Sequence, residues 1–132
     1  LGELKEHYKI RREDVKWFVD STYEVIKKSE ELLSLDEKSY GLASSAAIYS
    51  LILRLRGVFI IKSLLNKKSK LYSNKEFKRW ILKKGVSKKI YSQIYEIYKA
   101  VKKDLVVKEK EGISVGDASK ILEILKEEIR SL

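Results

Sequence analysis

The chain has 132 residues, the length of one ordinary domain, and a domain of that size buries roughly two-thirds of the surface its unfolded chain exposes. It contains no Cys and a single His, His7, which excludes disulfides and thiolate metal sites and argues against a His-built metal cluster or a Ser-His-Asp triad, so no metal and no cofactor are expected. The formal charge is +10, and residues 62–110 alone hold 16 Lys and Arg against 4 Asp and Glu, a local +12 that leaves −2 for the remainder. Such concentration reads either as a basic face for a polyanion or as a solvated lysine surface.

Pro is absent and Gly is scarce, so few helix breakers interrupt the chain. The richness in Lys, Glu and Ile, without Cys or Met, resembles the composition of proteins from hot environments. The opening stretch LGELKEHYKIRRED has no apolar core or small-residue cleavage site of an export signal. Residues 1–12 read as an N-terminal extension, and the protein as soluble and cytoplasmic.

The first helix is predicted from about Glu13 to Leu35, because Val15, Phe18, Val19, Thr22, Ile26, Ser29 and Leu33 recur at three- and four-residue spacing. The stretch from Leu35 to Ser39 reads as a polar break, with Asp36 or Ser39 as the cap of the next helix. The second helix is predicted from about Tyr40 to Asn66. Its segment AAIYSLILRLRGVFIIKSLL, Ala46 to Leu65, is the one membrane candidate. Arg54 and Arg56 near its centre would each cost about 2.5–3.5 kcal/mol on insertion, which argues against a membrane span. At about 100° per residue, Ala47, Leu51, Leu55, Val58 and Leu65 share one face, while Tyr49, Ile52, Leu53 and Ile60 lie on the far side. A helix apolar all round must be covered all round, so a homodimer is expected to cover its second face. Arg54 and Arg56 are about 200° apart on the same wheel. Each therefore meets a carboxylate, snorkels to the rim, or presents its guanidinium to a phosphate.

Ser73-Asn74-Lys75-Glu76 spells a capping box and opens a third helix, which Gly85 should end. Ser87 can cap a fourth helix reaching about Val107, with Ile90, Ile94, Ile97, Val101 and Leu105 as its apolar stripe. Lys88, Lys99, Lys102, Lys103 and Lys110 fall within about 100° of arc on that wheel, beside Tyr91, Tyr95 and Tyr98. Lysines beside rings suit a nucleic acid, with ammonium groups on phosphates and rings stacked on unpaired bases. Tyrosines bordering a core are equally packing residues with a wet hydroxyl. Ser114, with Asp117 three residues on, caps a fifth helix whose stripe is Ala118, Ile121, Leu122, Leu125 and Ile129. The expected architecture is all-α, one up-and-down bundle of four to five helices.

The runs GLASSAAIYSLILRLRGVFIIKSLL, FKRWILKKG, IYSQIYEIYKAVKKDL and ISVGDASKILEILKEEIRSL together resemble the HEPN family, the higher eukaryotes and prokaryotes nucleotide-binding domains, from about Glu13 to Leu132. The resemblance implies an up-and-down helical bundle, usually a homodimer, related to the substrate-binding subunits of small nucleotidyltransferases. Many members bind nucleotides or RNA, and some are metal-independent ribonucleases that act as toxins. The positions matching the ribonuclease motif of Arg, polar residue and His are Lys103, Asp104 and Lys108 in VKKDLVVKEK. The polar residue is kept, Lys replaces Arg, and the His is missing; His7 lies far from the motif. A His can exchange protons near neutral pH, whereas lysine ordinarily holds its own. The function expected is that of a non-catalytic or degenerate HEPN-type homodimer. It would bind RNA, nucleotides or another polyanion through Arg54, Arg56, Lys99, Lys102 and Lys103, with a nucleotidyltransferase as a candidate partner. The alternatives are a metal-independent ribonuclease and a pure protein–protein interaction module.

Overall fold

A computed structural model describes residues 11–39, 41–65, 73–103 and 112–132. Among these residues there are five helices and no strand: α1 (Arg12–Ser39), α2 (Ser45–Leu65), α3 (Asn74–Lys83), α4 (Lys88–Lys102) and α5 (Val115–Arg130). The all-α bundle expected from periodicity is present. None of these helices is long and apolar enough to cross a membrane. No group of three His, Cys, Asp or Glu that could hold a metal occurs among the described residues.

The helix α2 is the hub, packing against α1, α4 and α5, while α1 also packs on α5 and α3 on α4. Ala47, Ile48, Leu51, Ile52, Leu55, Val58, Phe59 and Ile61 of α2 are all buried. The core extends to Ile26 and Leu33 of α1, Phe77 and Ile81 of α3, Ile94 and Ile97 of α4, and Ile121, Leu122, Leu125 and Ile129 of α5. Those of α1, α4 and α5 lie on the stripes that the three- and four-residue spacing marks. Ile52, which the wheel puts on the far side of α2, is buried, while Leu53 stays 43% exposed and Leu65 52%.

The polar stretch at Leu35–Ser39 does not break the chain; it is the last turn of α1. The break falls at Gly41–Ser44, where Gly41 takes a φ of +73°, a conformation that penalises a Cβ. Asp36 still caps α2, but from the previous helix: its Oδ2 accepts from the Ser44 amide at 2.7 Å. Next to this corner, the Ala43 amide donates to the Ile113 carbonyl and the Val115 amide to the Gly41 carbonyl, both at 2.9 Å. This two-bond bridge ties the start of α2 to the start of α5, a pairing of distant segments that no local pattern announces.

The serine caps are where the sequence puts them. Ser73, Ser87 and Ser114 accept from the amides of Glu76, Ile90 and Asp117 at 3.2, 3.1 and 3.1 Å. The Glu76 side chain does not return the favour, pairing instead with Arg79 at 3.2 Å. Gly85, at φ +100°, follows the end of α3 as expected. The described part of α4 ends at Lys102 with Lys103 as its C-cap. The predicted continuation to Val107, including Leu105, lies outside the described residues, as do Tyr40, Asn66, Lys110 and the N-terminal residues up to Ile10.

One carboxylate bolts three elements together. Glu128 of α5 is 8% exposed, and its Oε1 accepts from Lys62 of α2 at 3.0 Å and lies 3.2 Å from Lys84 at the end of α3. Lys62 also donates to Ser131 Oγ at 2.7 Å, and Lys84 lies over the Trp80 ring at 5.4 Å. Removing one member of a largely buried pair leaves the others uncompensated. The two lysines keep contact with water, which screens the loss. Glu128→Ala should therefore lower unfolding stability by about 1–3 kcal/mol. The measurement is a denaturant melt, and an unchanged midpoint would show that the bolt contributes nothing.

Candidate polyanion-binding face

A continuous row of aromatic rings runs through the bundle and sets where its cations stand. Phe59 of α2 meets Phe77 and Trp80 of α3 at ring-centroid distances of 5.7 and 5.4 Å. Phe77 meets Tyr91 of α4 at 6.5 Å. Along α4, Tyr91 stacks on Tyr95 at 5.9 Å and Tyr95 on Tyr98 at 6.1 Å. Tyr98 in turn stacks on Tyr49 of α2 at 5.2 Å. The four-residue and three-residue steps from Tyr91 to Tyr95 to Tyr98 put these rings on one helix face.

Each tyrosine of α4 carries a lysine over its ring. Lys78 of α3 lies 5.8 Å from the Tyr91 centroid, Lys99 5.2 Å from Tyr95, and Lys102 6.0 Å from Tyr98. A cation over an exposed ring gains roughly 0.5–1 kcal/mol, enough to bias a lysine whose rotamer entropy is about 2 kcal/mol. The lysines are thus partly ordered before any ligand arrives. Tyr91 and Tyr98 are each only 6% exposed. Their rings are packing platforms, so the stacking of unpaired bases imagined for them is not available; Tyr95 is the more open ring.

The two arginines of α2 divide between opposite sides, as their angular separation requires. Arg54 turns to α1: its Nη1 donates to Ser21 Oγ at 2.9 Å and lies 3.5 Å from Thr22 Oγ1, and its guanidinium sits 5.4 Å from the centre of the Phe18 ring. Gly57 allows this approach, since a Cβ there would stand 2.6 Å from the same ring. Arg56 lies on the α4 side, close enough to Tyr91 to affect its ionisation. Neither arginine meets a carboxylate among the described residues; Arg54 is held by hydroxyls and a ring instead.

Of the residues read from the sequence as binding groups, the face brings together Arg56, Lys99 and Lys102. Lys99 is also held 3.0 Å from Glu96. Lys103 is exposed at the C-cap of α4, and Arg54 belongs to a different side of the molecule. Asp104, Lys108 and His7 lie outside the described residues. Sequence reading passed over Lys75 and Lys78 of α3 and Tyr49 of α2. Their signal is faint: Lys75 and Lys78 sit one turn apart on α3, but only packing aims that turn at α4.

Two clefts flank these helices. The larger, about 600 Å³, has a floor of Val86, Ile90, Ile121 and Ile124 and a mixed rim that includes Lys120, Glu123 and Glu127. Its lining carries Lys84 and Lys120 against Asp117, Glu123 and Glu127, and Lys84 is committed to Glu128. The smaller, about 350 Å³, is lined by Asn74, Lys75 and Lys78 of α3 and Tyr91, Ser92, Tyr95 and Glu96 of α4. It adjoins the lysine-capped rings and, although less voluminous, carries two lysines against one carboxylate.

Burial pushes the Tyr91 phenol above the ordinary tyrosine range, Tyr95 pushes it further, and Arg56 pulls it back. The phenol therefore stays protonated at neutral pH and can donate. Because the folded state favours the neutral phenol, this contribution to stability is intact at neutral pH and is lost only as pH rises through the raised folded value. Replacing Arg56 by Met should move the Tyr91 titration upward and Tyr95→Phe should move it downward, as read by NMR titration of the Tyr91 ring carbon. Movement in the same direction in both variants would contradict the arrangement. Comparison of the chain with family models, with curated proteins and with solved structures gives no match.

Proposed function

We propose that this chain is a polyanion-binding helical module that engages RNA or a similar phosphate polymer through α3 and α4, without catalysing its cleavage. The observation that carries the reading is the set of three lysines, Lys78, Lys99 and Lys102, each posed over one ring of a stacked tyrosine row. Lysines spread over an exposed hydrated surface have no reason to share a platform. Lysines drawn into line have part of their ordering cost met in advance, which favours a ligand with regularly repeating negative charge. Arg56 and Lys75 add charge to the same side, and Lys103 extends it past the end of α4.

The buried rings of Tyr91 and Tyr98 favour contact with phosphates over contact with bases. Binding should accordingly be only weakly dependent on sequence and strongly dependent on salt. This is the behaviour the resemblance to HEPN domains would lead one to expect of a member lacking the motif His. Affinity for single-stranded RNA, measured over a salt series, should fall linearly on a double-logarithmic plot. Lys99→Glu, Lys102→Glu and Lys103→Glu together should weaken binding by at least about tenfold while leaving the thermal melt in place. Absence of binding at low ionic strength would sink the proposal.

A second feature favours a homodimer. Ala46, Ser50, Leu53, Ile60 and Leu64 recur along α2 at three-, four- and seven-residue steps, the spacing of a helix–helix seam. Ala46 and Leu53 are exposed and the other three only half-buried, and the small Ala46 and Ser50 permit close approach of a second helix. Leu53→Glu should convert a dimer to a monomer in analytical ultracentrifugation without loss of helix content. A wild-type monomer at micromolar concentration would exclude self-pairing and leave the stripe for a different protein, such as a nucleotidyltransferase.

A further inference from the structure

The cleft between the first turns of α3 and the tyrosines of α4 differs from the open lysine row beside it. It is a shallow, open depression of about 350 Å³, near the lower end of small-ligand sites. A strand can lie along Lys99 and Lys102, but a pocket of this size takes one group. Lys75 and Lys78 line it, and neither is ion-paired among the described residues. The carboxylates nearby are already engaged, Glu76 with Arg79 at 3.2 Å and Glu96 with Lys99 at 3.0 Å. Tyr91, a neutral phenol whose ionisation burial makes harder still, lines the cleft together with Asn74 and Ser92. The start of α3 adds the partial positive charge of a helix N-terminus. Unpaired lysines beside neutral donors suit a compact dianion better than the single charge of a phosphodiester.

We infer that this cleft is a subsite for a phosphate monoester, the terminal phosphate of a nucleic acid strand or of a free nucleotide. The inference rests on the polyanion-binding reading and adds to it a preference for chain ends. Lys75 and Lys78 hold the dianion, Tyr91 and Tyr95 wall it, and the lysine row from Lys99 to Lys102 receives the following phosphates. Glu96 stands between the two regions, its charge offset by Lys99.

The test is calorimetric titration of the intact protein with one short oligouridylate in three forms: 5′-phosphorylated, 3′-phosphorylated, and hydroxyl at both ends. A phosphorylated form should bind at least about fivefold more tightly than the unphosphorylated one, as expected for charge-assisted hydrogen bonds to an added dianion. The form that gains identifies the end recognised. Adenosine monophosphate competing where adenosine does not would identify a free nucleotide as an additional source of the group. The preference should shrink below about pH 6, where the monoester dianion takes up a proton and becomes a monoanion. Lys75→Ala with Lys78→Ala should bring the ratio close to unity, with circular dichroism confirming an intact fold. Lys102→Ala with Lys103→Ala, which leaves the Lys99–Glu96 pair in place, should weaken all three RNAs alike and keep the ratio. Equal binding of the three RNAs by the wild-type protein would overturn the inference and leave polyanion binding standing. No binding of any RNA at low salt would overturn both. A preference surviving in the Lys75, Lys78 variant would overturn the assignment to this cleft.

Discussion

Everything in this molecule is arranged around one constraint: α2 is apolar on all sides and has to be covered. Its buried positions, from Ala47 to Ile61, supply the largest share of the core. A helix with a single apolar stripe could lie on the surface of a bundle, but this one can only be its axis. That requirement draws α1, α4 and α5 against it and brings α3 in through the aromatic contacts of Phe59 with Phe77 and Trp80. Among the described residues, the side left over carries Leu53 and the small residues Ala46 and Ser50.

The polar features are subordinate to the same arrangement. Lys62 emerges from α2 at the one place where α5 and the end of α3 converge, and a single carboxylate, Glu128, serves it and Lys84 together. Arg54 and Arg56 leave α2 on opposite sides because the helical repeat allows nothing else. Arg54 then finds the hydroxyls and the phenyl ring that α1 offers, and Arg56 lies near enough to Tyr91 of α4 to affect its ionisation. An isolated guanidinium in an apolar helix is costly; at the edge of a contact, with its stem buried and its head half in water, it is tolerable.

The aromatic row links packing to the candidate site. The same rings that close the core between α2, α3 and α4 present their faces to Lys78, Lys99 and Lys102. A ring that is nearly buried cannot receive a base, yet its remaining open face can hold an ammonium group in place. Packing and surface charge are therefore not independent here. A substitution such as Tyr98→Leu would preserve much of the apolar contact and still release Lys102.

Much of this fold is legible in the residues alone. The three- and four-residue spacing of Ile26 to Leu33, Ile90 to Ile97 and Ala118 to Ile129 specifies helices and their inner faces, because one turn of helix brings such residues together whatever lies beyond. Ser73, Ser87, Ser114 and Gly85 mark ends for the same local reason, the need to satisfy amides or to adopt a positive φ. The concentration of positive charge between α2 and α5 is also plain from the chain. What the sequence could not supply were the relations between helices. The end of α1 was misplaced because Asp36 reads as the start of a new helix, whereas it caps that helix from the end of the previous one. Nothing local distinguishes Lys75 and Lys78 from other lysines; the packing of Phe77 on Tyr91 sets them beside α4. By itself the sequence determined the helices, their caps and their apolar faces, since those depend on neighbours within a turn. Only tertiary structure decided which cations share a face, since that depends on side chains meeting across helices that are far apart in the chain.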